Sequence, residues 1–365
     1  MKKIIKLFDP VIGIHEERIV NQVLKSRFWA SGSGIGNVLK FENEFNKYVG
    51  SKACVALNSG TAALHLALSL VDIKNKEVIL PSLSFVSSAH AVIYNGGKPV
   101  FVDVNPETLC IDPELIEKSI TKKTKVILPV HFAGIPCDLD EINSLSKEYG
   151  LTLIEDAAHA AGSSYKKKKI GSHGMAVCFS FHPVKNLAMP IGGAITLNDD
   201  NSRHFKNILY ARRWCGISNR KGATYDVNDL GWNYYMNEFS AAIGLEQLKK
   251  LNDMNKKRKL IAKRYSEEIE LEQKMPFDGS CSYHFYWILV KNRNHFMKRM
   301  MENKIETGIH YAPIHKMKFY KTSSYKKAVL INTERIGDHI VSLPTHPNLT
   351  EHDISKIIKC TNQFS

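Results

Sequence analysis

Between about residues 50 and 200, short apolar runs alternate with stretches of helical character. The runs fall at 78–80, 99–104, 125–130, 151–155, 176–181 and 193–197. Several are β-branched and apolar on both faces, the pattern of strands covered on both sides. Helix-like stretches lie between them, as at 113–120 and 139–148. This alternation predicts an α/β fold with a parallel sheet and crossover helices. Segment 61–70, TAALHLALSL, is apolar nearly all round. It predicts a buried helix, with Asn58 or Ser59 as N-cap and Gly60 in the tight turn before it. After Met236 the pattern changes: Met236, Phe239, Ile243, Leu248 and Leu251 recur at roughly helical spacing, and no proline intervenes before Pro276. A long helix over 236–272 is predicted there. The remainder mixes a short strand at 285–290 with helices at 295–303 and 351–360. The expected division is a large domain over 1–250 and a smaller C-terminal α/β domain over 251–365.

Composition narrows the class. The 365 residues are 44% hydrophobic and 24% charged, which excludes wholesale disorder, collagen and a small disulfide scaffold. Lys and Arg number 50 against 36 Asp and Glu, a net charge of +14. Such an excess admits nucleic acid, an anionic membrane or an acidic small molecule as partner. The basic runs Lys166-Lys167-Lys168-Lys169 and Lys256-Lys257-Arg258-Lys259 read as solvated turn or helix faces, because neither interleaves aromatic residues. A regulatory DNA-binding protein would need a helix-turn-helix or a basic stripe, and neither is legible. Seven cysteines, an odd number without a CxxC pair, point to a reducing compartment and to packing as small apolar residues. The apolar stretch near Met1 is too short for a signal-peptide core, and no run approaches a membrane span. The expectation is a soluble, cytoplasmic protein with no nucleic-acid or membrane partner. No metal is expected either, since His310 and His315 are five apart and lack the HExxH form. Gly32-Ser33-Gly34-Ile35-Gly36 has the wrong spacing for a dinucleotide fingerprint and reads as a loop.

Three constellations sit on predicted strand-to-helix turns, where ligands of open α/β sheets bind. Asn58-Ser59-Gly60-Thr61 precedes the buried helix and offers a phosphate cradle, although alone it also reads as a plain helix cap. Glu155-Asp156-Ala157-Ala158-His159 ends an apolar strand, so its carboxylate is either a cap or a partner for a buried cation. Ser180-Phe181-His182-Pro183-Val184-Lys185-Asn186 places a lysine just past another strand. A lysine there is a surface residue or a Schiff-base amine of lowered pKa. Together, a phosphate cradle, a strand-end aspartate and a downstream lysine match the needs of pyridoxal 5′-phosphate (PLP). The lysine would bond the cofactor, and the aspartate would keep the pyridine nitrogen protonated so that the ring acts as an electron sink.

The chain resembles the PLP-dependent sugar-nucleotide aminotransferases of the DegT/StrS type, within the fold-type-I aspartate aminotransferase superfamily. The resemblance runs nearly end to end. It is carried by LNSGTAALHLAL (57–68), LPSLSFVSSAHAV (80–92), PVFVDVNPETLCID (99–112) and VHFAGIPCDLDEI (130–142). It continues in IEDAAHAAGSSY (154–165), CFSFHPVKNL (178–187), GWNYYMNEFSAAIGLEQL (231–248), TGIHYAPIH (307–315) and LPTHPNLTEHDI (343–354). It implies a mostly parallel central sheet flanked by helices and a smaller C-terminal domain. It implies that Lys185 is the Schiff-base lysine and moves the proton between the amino-acid Cα and the cofactor. Asp156 would pair with the pyridine nitrogen, His159 would lie near the ring hydroxyl, and Phe85 would stack on the ring. Gly60, Thr61 and Ser180 would hold the phosphate with Ser59 nearby, and Asn233 would reach it from the neighbouring subunit of a homodimer with shared sites. His310 resembles a position near the sugar. The activity implied is amino transfer, with L-glutamate as donor and a nucleotide-linked keto sugar as acceptor, for amino-sugar or polysaccharide biosynthesis. A free keto sugar or a cyclitol is the alternative acceptor. Arg212-Arg213 reads either as facing a nucleotide diphosphate or as forming a surface salt bridge.

Two stretches depart from the family pattern. Leu187-Ala188-Met189-Pro190-Ile191-Gly192-Gly193 lacks the acidic residue usual after the lysine, and Tyr235 stands where an arginine is usual. The presence of Lys185 itself argues against the dehydratase branch, in which histidine replaces it.

Overall fold

The computed structural model of the chain describes residues 4–321 and 329–365. Two helices, α1 (Ile14–Ser26) and α2 (Asn37–Val49), precede the first strand, β1 (Ala53–Leu57). Helix and strand then alternate through α3 (Gly60–Leu68), β2 (Glu77–Pro81), α4 (Ser87–Tyr94), β3 (Lys98–Val102), α5 (Pro113–Ser119), β4 (Thr124–Ile127), α6 (Leu139–Glu148) and β5 (Thr152–Asp156). A short hairpin, β6 (Ser164–Tyr165) and β7 (Lys168–Lys169), leads to β8 (Ala176–Ser180), β9 (Gly193–Leu197) and α7 (Ser202–Arg212). A second hairpin, β10 (Ile217–Lys221) and β11 (Thr224–Val227), precedes the long α8 (Glu238–Glu268). The chain ends with β12 (Tyr286–Leu289), α9 (Arg293–Glu302), α10 (Ile331–His339), β13 (Ile340–Leu343) and α11 (Glu351–Phe364).

Helix starts follow side-chain capping. Asp112 accepts from the Glu114 N–H ahead of Pro113, Asp138 from that of Glu141, and Asn237 from that of Ser240. Each satisfies a first-turn donor that the helix cannot. α3 is the predicted apolar helix, and Ala62 to Leu68 are all buried.

The main sheet has seven strands in the order β1-β9-β8-β5-β4-β2-β3. β9 runs antiparallel to both neighbours, and every other pairing is parallel. The mostly parallel sheet agrees with the alternation read from the sequence. β1, whose five residues are all buried, lay outside the predicted runs. Its Ala and Cys side chains carry little strand signal. On β8 the side chains alternate: Val177 and Phe179 join the core containing Phe41, Phe45 and Phe181, whereas Ala176 and Cys178 join the core beneath α3 and α4. β12 and β13 form a separate antiparallel pair. α8 spans 31 residues and runs straight through position 250, where the division between domains was expected. Among the described residues no helix is long and apolar enough to cross a membrane.

Two basic positions differ from expectation. Arg213 is fully buried, with its guanidinium 2.5 Å from Glu42 and 2.9 Å from the Ala56 carbonyl. Arg212 pairs with Asp229 at 2.7 Å. Neither lines the ligand cavity described below: Arg212 follows the ion-pair reading, while Arg213 forms a buried ion pair, which corrects both readings for that residue. Arg258, in a run read as solvated, is buried and donates to the Thr345 carbonyl at 3.2 Å. Six of the seven cysteines are buried as expected, and Cys215 is exposed.

Candidate active site

The carboxyl ends of β1, β5 and β8 converge on one cavity of about 310 Å³. Ser59, Gly60 and Thr61 border it from the start of α3, Asp156 and His159 from β5 onward, and Ser180 and Lys185 from β8 onward. Phe85 and His310 complete the wall. Nine of the ten residues singled out from the sequence therefore meet in one place. Asn233 does not: it is exposed, and its carbonyl accepts from the Asn58 side chain at 3.2 Å.

The phosphate-sized end is shaped by backbone. Ser59 Oγ accepts from the Ala62 N–H at 3.1 Å and caps α3. The first turn of a helix carries unpaired N–H groups and partial positive charge, which favour an anion there. Space is tight beside it. A Cβ on Gly60 would lie 2.7 Å from the Ser180 Cβ, and one on Gly193 would lie 2.3 Å from the Ser59 carbonyl oxygen. Glycine lets the first turn of α3 sit directly against the ends of β8 and β9.

Asp156 is buried. Ser88 Oγ donates to one of its oxygens at 2.8 Å and the Ala158 N–H to the other at 3.1 Å. Burial raises its pKa above the usual carboxylate value, while these two donors and the charge of Lys185 oppose the rise. A buried carboxylate of this kind gains most from a cation placed opposite it, such as a protonated ring nitrogen.

Lys185 reaches the cavity from a turn in which its N–H donates to the His182 carbonyl at 2.8 Å. The next residue anchors the turn. Asn186 is buried and donates to Asn255 on α8 at 3.0 Å and to the Ser282 carbonyl at 2.8 Å. Burial lowers the Lys185 pKa to about 8, against the raising effect of Asp156. An amine with that pKa is partly neutral near neutral pH, so it can act as nucleophile or base.

The opposite wall is aromatic. His159 Nε2 lies 2.9 Å from the Tyr311 hydroxyl, and the two rings stack at 5.8 Å and 17°. Phe85 is exposed and lies 6.0 Å from the Tyr311 ring. His310 Nδ1 is 2.9 Å from Ser342 Oγ. Burial and the Lys185 charge lower the His310 pKa to about 4 and push His159 well below the usual histidine value, so both rings are neutral at pH 7.

Ser88 and Tyr311 lie inside segments that carried the resemblance, but nothing in their residue type marks them as site groups. His284, within hydrogen-bond reach of Lys185, also went unread. Its position just ahead of the apolar strand at 285–290 was the available signal.

The residues fit PLP: an anion seat at a helix start, a buried carboxylate that a ring cation would satisfy, and an amine of lowered pKa. Comparison with known proteins agrees. Residues 10–362 match the DegT/DnrJ/EryC1/StrS aminotransferase family. The chain is 36% identical to the spore coat polysaccharide biosynthesis protein SpsC of Bacillus subtilis, over 97% of this chain and 95% of that one. Its structure resembles Helicobacter pylori PseC, an aminotransferase involved in the biosynthesis of pseudoaminic acid, with a TM-score of 0.93, 27% identity and 99% of each chain covered. It also resembles a Streptococcus pneumoniae protein named as a sugar aminotransferase and solved in PMP and PLP forms. For the PMP form the TM-score is 0.93 at 26% identity, covering 99% of this chain and 97% of that one.

Proposed function

Because this chain belongs to the DegT/DnrJ/EryC1/StrS aminotransferase family and is a PLP-dependent sugar aminotransferase, we propose that it moves an amino group from L-glutamate to a keto sugar attached to a nucleotide. The product is an amino sugar for a surface polysaccharide. The observation that carries the site reading is the meeting of Lys185, Asp156 and the capped start of α3 around one cavity. The relatives named above support a sugar acceptor, and the net charge of +14 suits an anionic nucleotide sugar.

PLP supplies a carbonyl that carries the amino group and a ring that takes up the electron pair released when the Cα–H bond breaks. The protein's residues supply the rest. Gly60, Thr61 and Ser180 would hold the phosphate, with Ser59 fixing the helix start. Asp156, oriented by Ser88 and the Ala158 N–H, would hold the proton on the ring nitrogen. Lys185 would hold the cofactor through its Nζ. Its free Nζ would take the proton from the donor Cα and deliver it, across the nitrogen, to the cofactor carbon that carries the amino group. Phe85 would cover a ring face, and His159, kept neutral by burial, would hydrogen-bond without adding a second cation. His310, which lines the cavity, would border the sugar. Asn233 lies outside its own cavity and completes that of a second copy in a homodimer.

The test is incubation of the PLP-loaded protein with ¹⁵N-glutamate and a panel of nucleotide-diphosphate keto sugars and free keto sugars. The expected result is a ¹⁵N-labelled amino sugar still attached to its nucleotide. Labelling of free keto sugars or cyclitols alone would overturn the nucleotide-linked reading.

A further inference from the structure

Lys185 Nζ lies 3.3 Å from Nε2 of His284. His284 is fixed on several sides. It is 1% exposed, and its backbone N–H donates to the Ala133 carbonyl at 2.9 Å. Its ring stacks on Phe8 at 5.1 Å and 18°, and lies 4.8 Å from the His159 ring. Its Nδ1 is buried without a hydrogen-bond partner. The ring's polar contact is therefore directed at the lysine, and packing rather than a second hydrogen bond sets its orientation.

From these contacts we propose that His284 is the positioning residue of Lys185. It accepts a hydrogen bond from the ε-ammonium whenever the lysine is not bonded to the cofactor, and so parks the free amine at the cavity wall. Its place in the catalytic cycle rests on the transaminase reading; the contact does not.

The direction of the hydrogen bond follows from charge. An ammonium has donors and no lone pair, so Nε2 must be the acceptor and the ring proton must sit on Nδ1. A cationic ring is disfavoured there. Burial, then Lys185, His159, His310 and Arg258, push the His284 pKa well below the usual histidine value. Lys185 in turn is faced by Asp156 from β5, by His159, by His182 from its own turn, by His310, and by the Tyr311 hydroxyl beyond His159. Of these, only Asp156 offers a negative charge, and Ser88 and Ala158 already donate to it. A neutral acceptor on the ammonium favours the charged lysine and opposes the burial that lowers its pKa.

The test uses cofactor-free protein. Lys185 is acylated with acetic anhydride in short pulses between about pH 6 and pH 10, and the labelled peptide is quantified by mass spectrometry. The wild-type midpoint is expected near 8. His284→Phe removes the acceptor but keeps a ring. It should lower the midpoint by about one pH unit, which is about eightfold more neutral amine at pH 6.5. His284→Gln, whose amide carbonyl can accept, should return the midpoint toward wild type. An unchanged midpoint in His284→Phe, or an equal shift in both variants, would overturn the proposal. If His284→Phe does not fold, ¹⁵N NMR of the wild-type histidines decides. Nε2 of His284 should be unprotonated and its resonance should titrate with Lys185, a response lost in Lys185→Met. A protonated Nε2 at pH 7 contradicts the proposal. Failure of the protein to take up PLP would sink the transaminase reading and leave this result standing.

Discussion

At the residue scale the central quantity is the protonation of Lys185. In an unfolded chain its amine would be charged up to about pH 10.4. In the fold, burial brings its pKa to about 8. The sign is that of a cation made less favourable, so the neutral, bond-forming amine predominates above about pH 8. Mixing cofactor-free protein with PLP should therefore give a rate of capture that rises with pH through about 8 and then levels off. Rates that keep climbing to an ordinary lysine pKa would show that burial does not activate the amine. Lys185, Asp156 and Gly60 were legible in the sequence because each carries its chemistry in its own type and sits at the end of an apolar run. His284 was not, because its contact with Lys185 spans 99 residues. No local spacing encodes that approach. Ser88 was missed for the same reason, since a serine on a helix gains a role only when a carboxylate from another strand is brought against it.

At the element scale the site depends on how β1, α2 and α7 are locked together. Glu42 of α2 accepts from the buried Arg213 guanidinium at 2.5 Å and from the Ala56 N–H of β1 at 2.8 Å. The Tyr210 hydroxyl of α7 donates to its other oxygen. The Arg213 guanidinium also lies 3.9 Å over the Tyr210 ring. Removing one partner of a buried pair leaves the other charge uncompensated, a loss of about 3–5 kcal/mol. Glu42→Ala should lose about that much in urea unfolding monitored by far-ultraviolet circular dichroism. A loss below about 1 kcal/mol would show the pair to be dispensable. Two readings of the neighbouring arginines are open in the sequence, as ligand contacts or as surface ion pairs. Arg213 is neither exposed nor ligand-facing, because burial is settled by distant elements packing over a residue rather than by its neighbours in the chain.

At the scale of the whole molecule, the alternation of strands and helices was legible in the sequence. Periodicity reports local conformation, and the helix through residue 250 carries the same pattern on both sides of the expected boundary. Asn233 lies outside the cavity that gathers the other expected site residues. A shared-site homodimer makes a sharp prediction from that placement. Lys185→Ala and Asn233→Ala subunits, each of low activity alone, should regain activity when mixed and allowed to exchange. In the hybrid, one site has an intact Lys185 and receives an intact Asn233 from its partner. Mixtures no more active than the separate variants would place Asn233 outside the partner's site. The most direct test of the central claim is the near-ultraviolet and visible absorption of the purified protein with PLP, before and after L-glutamate. The expected spectrum has a Lys185-dependent cofactor band, absent in Lys185→Ala, that is replaced by the band of the aminated cofactor when glutamate is added. A spectrum identical to that of free PLP, unchanged by glutamate, would contradict it.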